Sequence, residues 1–180
     1  MAAPPSFNAD AFFERFKGHF PTKRMEDECD GDLMALIVLD DVPIEIVNEV
    51  LNENGNKTGA QYLWLADKYE SLRDFDGIGY EGTITPIDLS WRSPFIGKSL
   101  IDAIEFIRQM PKPPKPLDKT FCAVLKKDLY ENSKQLLICK AIDGQGEPET
   151  IPIRFQKAGV FFVTFAREDW DEAYNEQKII

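Results

Sequence analysis

The sequence holds one histidine, His19, and three cysteines, Cys29, Cys122 and Cys139. A single histidine restricts any nucleophile–histidine–acid mechanism to that residue. His19 sits in Gly18-His19-Phe20-Pro21, between aromatics at a helix exit, where a structural role is expected. No H-x-x-x-H or C-x-x-C pair is present, so the usual zinc ligand sets are missing. Three widely spaced cysteines are not a disulfide framework, and one at least must stay a thiol in a monomer. The longest apolar run, residues 33–39, is far too short to span a bilayer, so no membrane partner is expected. Cations are also scarce: 21 Lys and Arg stand against 31 Asp and Glu, a formal charge of −10. No nucleic-acid partner is expected, because neutralising phosphates needs a basic footprint.

What is present suits one compact domain over residues 1–180, with 43% hydrophobic and 29% charged residues. The opening residues show no basic stretch leading into an apolar one, and with free thiols the expected compartment is the cytoplasm. The charge is uneven. Residues 21–110 hold 18 acids and eight bases, whereas 1–20 and 111–180 are each balanced. Such asymmetry speaks to association rather than to fold.

Residues 7–110 read as mainly helical. Phe12, Phe13 and Phe16 mark a short first helix ending at Gly18. An acidic turn, 26–32, precedes the 33–39 run, which is ambiguous between buried strand and buried helix. Asp40-Asp41 and Pro43 then read as a helix start, with Ile46, Val47, Val50 and Leu51 as its apolar face and Asn54-Gly55-Asn56 as its end. Residues 62–72 suggest another helix, 83–85 and 87–91 strand-like pieces, and Ser99 the cap of a helix to about Gln109. Residues 111–116, with four prolines in six positions, form an extended connector. Beyond it, 120–126, 135–142, 150–156 and 160–166 read as strands with short connections, and 168–177 as a closing helix. The expected fold is therefore α+β: a mainly helical N-terminal region packed on a C-terminal four-stranded antiparallel meander (117–180) with a closing helix. A sheet region that small is marginal unless another layer covers it.

Among candidate chemistries, Gly77-Ile78-Gly79-Tyr80-Glu81-Gly82 matches G-x-G-x-x-G but opens no helix, and its acids repel phosphate, so it reads as a turn-rich loop and no cofactor is expected. Asp27, Asp30 and Asp32 lack EF-hand spacing, and no metal is expected there. Asp40 and Asp41, at the end of an apolar run, are the best catalytic pair, able to chelate Mg²⁺ or act as acid and base. Helix capping is the competing account. With no complete catalytic set, the expectation is a non-enzymatic acidic binding or inhibitor protein, immunity-protein-like, that neutralises a basic protein partner such as a toxin or effector enzyme. Glu26, Asp27, Glu28, Asp40 and Asp41 would steer that partner, and Tyr80 and Trp91 would anchor it, Trp91 being expected exposed among loop formers. The alternative is a small metal-dependent hydrolase centred on Asp40 and Asp41.

Overall fold

The computed structural model describes residues 33–56, 61–72, 82–110, 117–141, 147–164 and 170–179. The ambiguous apolar run is a strand, β1 (Leu33–Val38), buried at every position. Met34, Leu36 and Val38 enter one apolar cluster, and Leu33, Ala35 and Ile37 enter a second on the opposite face. A strand covered on both faces needs no polar alternation, which is why its period was unreadable.

The chain continues through α1 (Ile44–Asn56), β2 (Leu63–Leu65), a 3₁₀ turn at Tyr69–Ser71, α2 (Leu100–Arg108), β3 (Leu117–Leu125) and α3 (Lys127–Ser133). It ends with β4 (Gln135–Lys140), β5 (Glu149–Arg154), α4 (Phe155–Thr164) and α5 (Trp170–Ile179). One five-stranded sheet has the order β2-β1-β3-β4-β5. β1 is parallel to both neighbours, with Met34 opposite Leu63 and Leu36 opposite Ala123. β3 to β4 and β4 to β5 are antiparallel. The α1, α4 and α5 side chains cover one face and those of α2 the other.

This corrects the expected four-stranded antiparallel meander. The class is α+β, but the sheet is mixed and its parallel half starts in the region expected to be mainly helical. Two local readings explain the error. Residues 62–72 are not a helix, because Leu63, Trp64 and Leu65 are all buried as a short parallel strand. Of the stretch expected as a strand over 160–166, the described residues 160–164 are helical, because Phe155, Ala158 and Phe161 are buried three apart, the spacing of a helix packed against α1. An aromatic-rich stretch satisfies both periods, and tertiary packing selects the helical one.

Residues 83–85 and 87–91 form no sheet strand. Instead Gly82 N–H donates to the Gln61 carbonyl at 2.6 Å and Thr83 N–H to that of Leu63 at 2.8 Å. Leu65 N–H donates to Thr83 Oγ1 at 2.7 Å. The segment thus covers the free edge of β2.

The helix ends follow the sequence more closely. Ser99 and Asp102 form a reciprocal capping box on α2, Asp102 N–H donating to Ser99 Oγ at 3.1 Å and Ser99 N–H to Asp102 Oδ2 at 2.9 Å. The Ser99 hydroxyl, which also donates to Asp102 Oδ2 at 2.7 Å, and next the Ser99 N–H hold the Asp102 carboxyl below its ordinary value. α5 docks through the fully buried Trp170, whose ring centroid lies 5.1 Å from that of Phe121 and whose Nε1–H donates to Glu149 Oε2 at 2.6 Å.

The expected Phe-rich first helix, acidic turn and extended proline connector fall outside the described residues. β1, before the connector, pairs with β3, after it, so the sheet draws strands from both sides of that segment. None of the described helices is long and apolar enough to cross a membrane.

Candidate functional site

From β1 the chain runs through α1 to β2 on one side, then through α2 to β3 on the other. The carboxyl ends of β1 and β3 therefore form a topological switch point, the place where open sheets with parallel strands leave a crevice. Leu39 N–H still reaches the Leu125 carbonyl, at 3.3 Å, before the chains part.

Asp40 stands at this opening. Its Oδ2 accepts the Lys127 N–H at 2.9 Å, in the first turn of α3, where the cap residue Lys126 supplies no side-chain acceptor. The carboxylate therefore caps a helix 87 residues away in sequence, rather than the helix that follows it. Asp41 is exposed. Among the described residues no group of three His, Cys, Asp or Glu side chains converges as a metal site.

α1 carries Glu45, Glu49 and Glu53 and no cation. They recur every four residues, a spacing that lays them along one helix face, and the exposed Asp41 precedes the helix. Glu49 accepts the buried Tyr130 hydroxyl of α3 at 2.6 Å. Burial, and next the Glu49 carboxylate, push the Tyr130 hydroxyl well above its ordinary value. Beside the carboxylates, Asn48 and Asn52 hold the long loop. Ile87 N–H donates to Asn48 Oδ1 at 2.9 Å, and Thr85 Oγ1 donates to Asn52 Oδ1. The pinned loop presents Ile84 at 59% and Leu89 at 75% exposure. No sequence period marks these two side chains; only their clustering between turn residues hints that they face outward.

No protein-family model, curated protein or solved structure matches this chain.

Of the residues expected to bind a partner, Glu26, Asp27, Glu28 and Tyr80 lie outside the described residues. Asp40 and Asp41 are brought to the switch point, one engaged and one free-standing. Trp91 is half-buried rather than exposed: its ring packs on the core beneath α1, and its indole nitrogen is buried with no hydrogen-bond partner among the described residues. Ser93 explains why the loop turns inward there, because its buried hydroxyl donates to the Val38 carbonyl at 2.5 Å and accepts the Phe95 N–H at 3.1 Å. The last glycine of G-x-G-x-x-G is also accounted for. A Cβ on Gly82 would lie 2.1 Å from the Leu63 carbonyl oxygen, so this position serves close backbone approach to β2.

On the face opposite α1, the switch point opens as a solvent-facing pocket of about 330 Å³. Its floor is Leu39, Val124 and Leu137, from β1's exit, β3 and β4. Lys98, Lys126 and Asp40 also line it, together with the turn into α2, where Gly97 adopts φ +76°. Sequence reading missed both lysines, because neither belongs to a motif and 28 residues separate them.

Proposed function

We propose that this chain is a binding protein that meets a basic protein partner through α1 and the loop pinned to it, an inhibitor of a basic toxin or effector enzyme being the sharpest form of that role. The observation that carries the reading is the placement of exposed Ile84 and Leu89 beside a cation-free helix bearing a row of carboxylates. Fold stability accounts for Glu49, which holds the Tyr130 hydroxyl, but not for the two exposed apolar side chains. Large apolar side chains that two asparagines hold in solvent gain nothing from folding. Burying each against a partner contributes about 1.5–3 kcal/mol.

The two features divide the work of association. Asp41, Glu45 and Glu53 raise the encounter rate with a cationic surface, and this part fades as salt shortens the Debye length. Ile84 and Leu89 hold the docked complex and set its lifetime. Asp40 is outside this set because its carboxylate is committed to α3.

The test is capture from native lysate at low and high salt, comparing the wild type with Leu89→Asp and with Asp41→Lys/Glu45→Lys. A specific basic protein retained by the wild type, lost with Leu89→Asp and weakened by salt or by the double variant supports the reading. Retention of the same proteins by all three forms, or of none by the wild type, sinks it.

A further inference from the structure

The geometry points to the pocket at the carboxyl ends of β1 and β3 as a binding site for a small organic monoanion, a carboxylate on a compact apolar body. This site lies on the sheet face opposite α1 and stands or falls independently of any protein partner.

Four observations converge on it. The pocket occupies the topological switch point, where the connections diverge. Its volume, about 330 Å³, admits a molecule the size of an aromatic acid. Its floor is framed by Leu39, Val124 and Leu137, Val124 and Leu137 being direct cross-strand partners, and the half-buried Leu137 offers most of the hydrocarbon a ligand would meet. Its lining brings two cations together in a chain of net charge −10.

The cations are available. Lys126 makes no ion pair or hydrogen bond through its ammonium with any described residue, and among the described residues Lys98 meets only the Phe95 ring, 5.8 Å away, and the nearby Asp102 charge. Asp102 is itself occupied by Ser99. The one carboxylate in the lining, Asp40, has Oδ2 committed to Lys127 N–H. Two ammonium groups against one carboxylate leave a net single positive charge, which favours a monoanion over a neutral molecule or a multiply charged one. The hydrocarbon floor in turn favours an anion with an apolar body over a bare inorganic one, because displaced water is the main gain there.

The experiment is ¹H–¹⁵N NMR titration of the full chain with benzoate, with benzyl alcohol as the neutral isostere and acetate as the anion without an apolar body. Saturable shifts at the Leu39, Val124, Lys126 and Leu137 amides are expected with benzoate. Benzyl alcohol, acetate, and benzoate on Lys98→Glu/Lys126→Glu should each bind at least about tenfold more weakly, the loss expected for one charge-assisted contact or one buried ring. Lys98→Arg/Lys126→Arg should retain binding. Both lysines are exposed, so the variants should keep the wild-type spectrum elsewhere. Absence of shifts at these amides, equal affinity for benzyl alcohol, or unchanged binding in the Lys→Glu variant overturns the assignment.

Discussion

At the residue scale, two positions show how little of a side chain's role its type reveals. Gly82 belongs to a phosphate-loop pattern, yet its missing Cβ is what allows the loop to lie on β2. Gly82→Ala must push the loop off the Leu63 carbonyl and loosen the cover of the sheet edge. A cost of about 2 kcal/mol or more is expected in denaturant unfolding, with no change in any nucleotide affinity. Wild-type stability in that variant would remove the structural account. Tyr130 makes the second case. Its hydroxyl is held by Glu49 and is neutral when folded. Tyr130→Phe should cost about 1 kcal/mol at neutral pH. The folded value lies above the unfolded one, so the contribution is complete below the ordinary tyrosine range near ~10 and falls as pH rises beyond it. The stability gap between wild type and Tyr130→Phe should therefore narrow in alkaline unfolding experiments; a gap constant with pH would contradict the linkage.

At the element scale, what the sequence disclosed depended on whether an element has one wet face. α1, α2 and α5 each carry an apolar stripe and a polar face, and Ser99 and Pro43 mark starts that the structure reproduces. β4 and β5 were legible for the same reason, their alternation and short connection being local. β1 and β2 were not, because parallel strands buried on both faces lack alternation and their partners are distant in sequence. Distance also hid the pairing of Cys122 with Cys139. Their wide spacing shows no disulfide framework in the sequence, and β3 and β4 set them directly opposite, both buried and both free thiols. A hydrogen bond with Cys139, and then burial, push the Cys122 thiol well above its ordinary value. Thiolate is the reacting species and both sulfurs are buried, so both cysteines should resist alkylation. Peptide mapping after iodoacetamide treatment should find both cysteines unmodified in native protein and modified in denaturant. Rapid native labelling of either would mean that the β3–β4 ladder opens readily. The candidate surface was partly legible in the same sense: the acids of α1 stand out in the sequence, whereas Ile84 and Leu89 acquire meaning only because Asn48 and Asn52 hold their loop in place.

At the scale of the whole molecule, the proline-rich connector invites division of the chain into a helical part and a sheet part. The sheet order argues against independent halves. β1, from the first part, lies between β2 and β3, and β3 belongs to the second. The apolar cluster on that face likewise mixes Val47, Val50 and Leu51 of α1 with Phe155, Ala158 and Phe161 of α4. A fragment of residues 117–180 would expose the open edge of β3 and the α1-facing surface of α4, leaving a small sheet with one layer missing. Chains of about 60 residues are marginal even with a complete core. The fragment expressed alone should therefore give a collapsed NMR spectrum without a cooperative thermal transition. Full-length protein cut at a protease site placed in 111–116 should remain one particle in gel filtration and melt as a single unit. Mixing the separately made halves should restore dispersion, since the missing strand and helix return together. A dispersed spectrum and cooperative melting for 117–180 alone would show that the two regions do not depend on a shared core.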